Sequence, residues 1–191
     1  MTAAVWYSRI KRAIDVVGAA AGLTVTALLY LPLAIAIKLD SPGPVIFAQD
    51  RLGKDQQVFR IHKFRTMRRD AAGNGLKPDD DDDRVTRVGR FLRRASLDEL
   101  PQFWDVLAGE MSLVGPRPEQ LVFLEKYRGW QLRRFAVVPG LTGWWQVNGR
   151  PQPMYDHVEY DVYYVEHRSL RLDLWILLRT AGAVLSGTGA V

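Results

Sequence analysis

Asp98 and Glu99 are adjacent carboxylates just ahead of Pro101, and basic side chains crowd around them. Arg93 and Arg94 precede them, and Arg117 follows inside Gly115-Pro116-Arg117-Pro118. An aspartate of ordinary pKa, about 3.9, is ionised at neutral pH and needs no separate base to attack phosphorus. Beside a phosphate it would be repelled unless cations neutralised the site. Arginines can do this through bidentate contacts, and a bound Mg²⁺ would do it while polarising the phosphoryl group. The same four residues Ser96-Leu97-Asp98-Glu99 also match an S-x-x-E capping box, and taken alone they read better as a helix cap than as a site. The surrounding arginines and the rigid turn at Gly115-Pro116 shift the reading towards phosphate, which a helix start also attracts.

A second cluster, PGLTGWWQVNGR at 139–150, combines glycines that permit close backbone approach with the polar side chains of Gln146, Asn148 and Arg150. These suit hydrogen bonds to a base or a phosphate. Its two tryptophans suit a loop at a membrane surface equally well. The chain has no cysteine, which excludes disulfides, thiolate catalysis and Cys-ligated zinc, and its 3 histidines are scattered. Walker A, strand-linked GxGxxG and GxSxG patterns are missing from the sequence, against a P-loop NTPase, a dinucleotide oxidoreductase or an α/β-hydrolase.

The net charge of +5 points to an acidic partner: nucleic acid, an anionic membrane surface or a phosphorylated substrate. No recognised nucleic-acid module supports the first, so no nucleic-acid partner is expected.

The elements that must position these residues begin with an uncharged apolar run at 16–37, roughly 22 residues and long enough to span a bilayer. It is too long for a secretory signal and lacks a cleavage site. Lys11 and Arg12 precede it, and Lys38, Arg51 and Lys54 follow. Basic residues on both sides argue against a crossing, and Pro32 offers a bend. A helix that dips in and returns satisfies both facts; a straight span is the alternative. Gly18 and Gly22 form a close-packing face for a second copy, which would give a homodimer, or for the chain's own helices.

SPGP at 41–44 reverses the chain, and apolar stretches at 45–48 and 58–64 predict a β-hairpin. Residues 70–83, with five successive aspartates, read as a solvated loop, because such carboxylates repel and lack ion-loop spacing. Arginines at 84, 87, 90 and 94 make a cationic stripe on an amphipathic helix, either solvated or facing anions or lipid. Further helices are predicted at 100–107, 118–127, 154–165 and 172–185. The expected class is an α-rich α+β fold: a membrane segment at 1–40, and a membrane-associated catalytic domain at 41–191 carrying the hairpin and interfacial amphipathic helices.

With these residues in place, the chain resembles the bacterial sugar transferase family, the monotopic phosphoglycosyl transferases. The motifs run in order: KRAIDVVG from Lys11, KLDSPGPVIF from Lys38, KFRTM from Lys63, RVTRVGRFLRRASLDELPQFWDVLAGEMSLVGPRPE from Arg84, PGLTGWWQVNGR from Pro139 and YDVYYVE from Tyr160. Its length resembles that of a small-type member. The resemblance implies a two-step transfer of sugar-1-phosphate from a UDP-sugar to polyprenyl (undecaprenyl) phosphate. Asp98 would be the nucleophile and would hold the phosphosugar after UMP leaves. Glu99 would be the second acid, with both acids near Mg²⁺. It further implies that Lys63, Arg65, Arg93, Gly115, Pro116 and Arg117 serve the phosphate site, and Gln146 and Arg150 the nucleotide side. The expected setting is the cytoplasmic face of the bacterial inner membrane, with the phospholipid bilayer as partner and a re-entrant helix. Family members break that helix at a Ser-Pro pair about a turn earlier, where this chain carries Ala27 and Leu28. The reading from another class is a non-catalytic membrane-anchored module that binds anionic lipid or a glycan-assembly partner.

Overall fold

The computed structural model describes residues 3–68, 82–148 and 156–186. Helix α1 runs unbroken as Ala3–Asp40, 38 residues with Pro32 inside it. At 1.5 Å per residue it is about 57 Å long, more than a hydrocarbon core requires. It is the one helix among the described residues that is long and apolar enough to cross a membrane, and little of its most apolar stretch is buried inside the protein.

The buried side of α1 is a narrow stripe. Asp15, Ala19, Thr26 and Ile37 are buried, with Gly18, Gly22 and Leu33 half-buried between them at helical spacing. Val17, Leu28, Leu31, Ile35 and Leu39 stay exposed. Polar contacts pin the stripe along its length. Lys11 Nζ donates to Asp173 Oδ2 at 3.1 Å, and Arg12 donates to the Val106 and Leu107 carbonyls, both at 2.7 Å. Asp15 Oδ1 accepts from Leu113 N and Ser112 Oγ. Thr26 Oγ1 donates to the Leu100 carbonyl. At the far end Asp40 Oδ2 accepts from Val88 N at 2.8 Å, in the first turn of a later helix. The small-residue face at Gly18 and Gly22 is filled by the chain's own Leu113 and Phe103, so it serves internal packing and not a second copy.

Strands β1 (Ile46–Leu52) and β2 (Val58–Phe64) form the expected hairpin, antiparallel with Phe47 opposite Lys63 and Arg51 opposite Phe59. Helix α2 (Arg87–Arg94) starts three residues later than the charge pattern suggests, because Thr86 caps it: Thr86 Oγ1 accepts from Gly89 N at 2.9 Å. It is followed by α3 (Gln102–Ala108), α5 (Glu159–His167) and α6 (Leu170–Leu185). Of the predicted helix at 154–165, residues 154 and 155 lie outside the described residues, as does most of the aspartate-rich loop. The predicted helix at 118–127 is instead a 3₁₀ stretch, Leu121–Lys126.

Two short strands lie beyond the hairpin. β3 (Ser112–Val114) and β4 (Gly140–Thr142) pair in parallel, and the short helix α4 (Trp144–Val147) follows. The core beneath them gathers Ala19, Ile61, Val106, Met111, Val114, Tyr164 and Ile176. A loop exposing two tryptophans at a membrane surface is ruled out here. Trp145 is buried, and Trp144 sits against Tyr163 and Trp175 with ring centroids 5.1 and 5.2 Å away.

Candidate active site

The acids are held by a turn, not by a capped helix. After α2 ends, Ser96 adopts φ 55° and makes no side-chain capping bond, so the capping box does not form. Leu97–Glu99 is a single 3₁₀ turn. Leu97 and Leu100, on either side of the acids, pack against the cluster of Ile37, Phe64 and Leu92. Packing these two half-buried leucines fixes the intervening Asp98 and Glu99 in one orientation.

The cations come from three other elements. Lys63, on β2, donates to Glu99 Oε1 at 2.6 Å and lies 3.9 Å from Asp98 Oδ2. Arg117, in the loop after β3, reaches Glu99 Oε1 at 3.4 Å. Arg93, in the last turn of α2, donates through Nε to Thr66 Oγ1, and its charge acts on Asp98. Among the described residues the Asp98 carboxylate accepts no hydrogen bond. Burial pushes its pKa up, Lys63 pulls it down, and Glu99 opposes ionisation; the net direction is upward. The result is a nearly buried carboxylate with unengaged oxygens, surrounded by cations.

Each cation has its own support. The residue beside Lys63, His62, is locked to the fully buried Asp105: its backbone N donates to Asp105 Oδ2 at 3.0 Å, and its Nδ1 lies 2.6 Å from Oδ1. The backbone at Arg117 is held by Arg134, whose guanidinium donates to the Arg117 carbonyl at 2.9 Å and to Asp161 Oδ2 at 2.7 Å. Glu119 lies 3.6 Å from Arg134 and accepts a hydrogen bond from Tyr127 Oη.

Gly115 and Pro116 join the site as backbone. Gly115 N donates to the Thr142 carbonyl at 2.9 Å, and Gly140 N donates to the Pro116 carbonyl at 2.8 Å. A Cβ on Gly115 would lie 2.6 Å from the Val138 carbonyl oxygen, and one on Gly140 or Gly143 would overlap the Gly115 backbone. The glycines of 139–143 therefore exist to let the 115–118 turn approach. Gln146, on α4, is buried with its side-chain oxygen beside Gly143. Arg150 lies outside the described residues.

Arg65 is placed elsewhere. Its buried guanidinium donates to the carbonyls of Ile37, Ser41 and Pro42 and to Ser41 Oγ, which caps the C-terminal end of α1. Among the described residues no contact takes it to Asp98 or Glu99. Reasoning from motifs also missed Arg51, on β1, whose charge acts together with those of Arg117 and Glu99.

For a metal, the donor set is two adjacent carboxylates, and no cluster of three ligating side chains occurs among the described residues. One or two carboxylates plus substrate phosphates and water is the usual manner of holding Mg²⁺, so the pair fits an ion that is shared with a phosphate.

The profile of the family described as bacterial sugar transferase matches residues 6–187. The chain is 43% identical over 192 residues to the UDP-N-acetylgalactosamine-undecaprenyl-phosphate N-acetylgalactosaminephosphotransferase of Aeromonas hydrophila, covering 96% of this chain and 45% of that protein. It is also 43% identical over 182 residues to the UDP-glucose:undecaprenyl-phosphate glucose-1-phosphate transferase of Escherichia coli (strain K12), covering 90% of this chain and 39% of that one. A sugar transferase of Bacillus subtilis (strain 168), EpsL, named as uncharacterized, is 42% identical over 183 residues, with 94% and 89% covered. The chain thus spans less than half the length of the first two relatives. It belongs to the bacterial sugar transferase family.

Proposed function

We propose that this chain transfers a sugar-1-phosphate from a UDP-sugar to polyprenyl phosphate, at the cytoplasmic face of a bacterial inner membrane. The observation that carries the reading is Asp98: a carboxylate without a hydrogen bond among the described residues, flanked by Lys63, Arg93 and Arg117. In the first step an Asp98 oxygen attacks the sugar-side phosphorus. The bond to the bridging oxygen breaks, UMP leaves with that oxygen, and the phosphosugar stays on Asp98 as an acyl phosphate. In the second step an oxygen of polyprenyl phosphate attacks the same phosphorus, displaces the carboxylate and restores Asp98. Lys63 and Arg117 keep Glu99 neutralised, so the incoming phosphates meet net positive charge. Mg²⁺, held by Asp98 and Glu99, would supply further neutralisation of the phosphates. The relatives are named for different sugars, so the proposal stops at a UDP-sugar.

The membrane arrangement follows from α1. Lys11, Arg12 and Asp15 near its start and Asp40 at its end all bind polar groups of the same catalytic body. Both ends therefore belong on one side of the membrane, which supports a helix dipping into one leaflet over a straight span. The exposed apolar side chains of α1 face lipid.

The test is release of UMP from a panel of UDP-sugars by purified protein with undecaprenyl phosphate and Mg²⁺. UMP release that depends on the lipid acceptor is expected for at least one sugar. Silence across the panel, with the protein folded and bound to membrane, would favour a non-catalytic anchored module.

A further inference from the structure

Arg51 is a cation with no carboxylate in ion-pair contact among the described residues. Among those residues its one hydrogen bond is from Nη2 to Gln49 Oε1 at 2.7 Å, and its buried Nε has no partner. Burial and the neighbouring charge of Arg117 lower its pKa to about 10, and the carboxylates of Glu119 and Glu99, outside ion-pair distance, offset this only in part. An arrangement of this kind costs stability unless a ligand offsets it.

Its position follows from the hairpin register. Residues directly opposite in an antiparallel pair share a face, and alternate residues along a strand do too. Lys63 is paired with Phe47 and Arg51 with Phe59, so Lys63, Phe47, Gln49 and Arg51 all project from one face. Arg51 stands four residues along β1 from the position opposite Lys63, about 13 Å away at strand rise. Arg117 falls between the two. It reaches Glu99 beside Lys63, and its loop is tied to the end of β1 where Leu52 N donates to the Glu119 carbonyl at 2.8 Å. Lys63, Arg117 and Arg51 thus form a row of positive charges with Asp98 at the Lys63 end.

A row of cations with the nucleophile at one end matches a diphosphate, whose two phosphorus atoms need separate neutralisation. Lysine supplies a point charge, whereas an arginine fork grips a non-reacting phosphate and holds it in register. We propose that Arg51, with Arg117, binds the nucleoside-side phosphate of the donor while Asp98 and Lys63 meet the sugar-side phosphate. This rests on the transferase reading above. In this assignment Arg51 touches the donor and the departing UMP, and does not touch the lipid acceptor.

The experiment measures inhibition by UMP and the KM values for UDP-sugar and undecaprenyl phosphate in the full chain, as wild type, Arg51→Met and Arg51→Lys. The expected result for Arg51→Met is a rise of at least 10-fold in the UMP inhibition constant and in the KM for UDP-sugar. The KM for undecaprenyl phosphate should stay within twofold, and the thermal midpoint should be unchanged or higher. Arg51→Lys should show an intermediate loss of about threefold or more, because charge remains but the fork is gone. Should Arg51→Met fail to fold, the Lys variant decides alone: an unchanged UMP constant overturns the proposal. A selective rise in the acceptor KM overturns it as well, and would assign Arg51 to the lipid phosphate. Loss of the underlying reading looks different, since the wild type would then release no UMP at all.

Discussion

Two clusters of arginine and carboxylate lie next to each other in this protein, and they do opposite jobs. In the buried one, Arg134, Asp161 and Glu119 have side chains 1%, 1% and 4% exposed, and Tyr127 completes the set. In the other, Lys63, Asp98, Glu99 and Arg117 are 19%, 13%, 24% and 32% exposed. The buried cluster has one cation for two acids and spends its hydrogen bonds on the protein, including the Arg117 carbonyl. The open cluster has Lys63, Arg93 and Arg117 for two acids and, among the described residues, leaves Asp98 without a donor. The same residue types therefore build a scaffold where burial is nearly complete and each acid accepts a hydrogen bond, and a reactive site where both are left unfinished. The two share a strand of backbone at residue 117, so the scaffold sets the position of the site.

If this division holds, substitutions in the open cluster should remove activity and spare stability, and substitutions in the buried one should do the reverse. The largest effect is expected for Asp98→Asn, a loss of about 10⁴-fold or more in turnover. Because burial raises the Asp98 pKa, its ionised form costs folding stability, so the Asn variant should melt at the same temperature or higher. A clear fall in melting temperature would break the comparison. Next comes Arg134→Met, which strands Asp161 and Glu119 in the interior and should cost about 3–5 kcal/mol of stability. By calorimetry that is a fall of roughly 6–20 °C for a chain of this size. A stable but inactive Arg134→Met would move Arg134 into the site. Lys63→Met should lower kcat/KM by about 10²–10³-fold, the usual loss for one preorganised charge. Its partly exposed ion pairs should contribute less than about 1 kcal/mol to stability.

The smallest effect is in the pH profile. With the Asp98 pKa displaced upward, the acid limb of kcat/KM should lie above the ordinary carboxylate range of about 4, falling about tenfold per pH unit below it. The sign for stability is the opposite. A carboxyl whose pKa is higher folded than unfolded adds stability below its unfolded value, and that contribution is lost as pH rises through the folded one. Asp98→Asn should therefore flatten the stability profile across that window.

Much of this was readable from the chain itself. The apolar run, the hairpin and the final helix carry periodicities that local geometry enforces, and each appears close to its expected bounds. The gathering of Lys63, Arg93 and Arg117 around Asp98 and Glu99 also follows the motifs. What could not be read depends on contacts distant in sequence. β3 and β4 are three residues each and are joined across the chain by glycines, so neither has a pattern of its own. Arg134 and Asp161 meet across 27 positions, and nothing local marks either as buried. The Ser96-to-Glu99 match to a capping box fails because Ser96 takes a left-handed backbone, which the pattern does not encode. Arg65 sits in a motif with Lys63, yet it lies just past the end of β2, where the carbonyls at the end of α1 draw it to a different task. Arg51 has no motif, and its place beside the site appears only once the hairpin register is known.

The central claim is that Asp98 carries the phosphosugar between donor and acceptor. The direct measurement is mass spectrometry of the whole protein after brief exposure to UDP-sugar and Mg²⁺ without lipid acceptor, followed by peptide mapping at low pH. The account predicts a mass increase equal to one phosphosugar, mapped to Asp98, absent from Asp98→Asn and discharged on adding undecaprenyl phosphate. An enzyme that turns over normally while Asp98 never acquires that mass would contradict it.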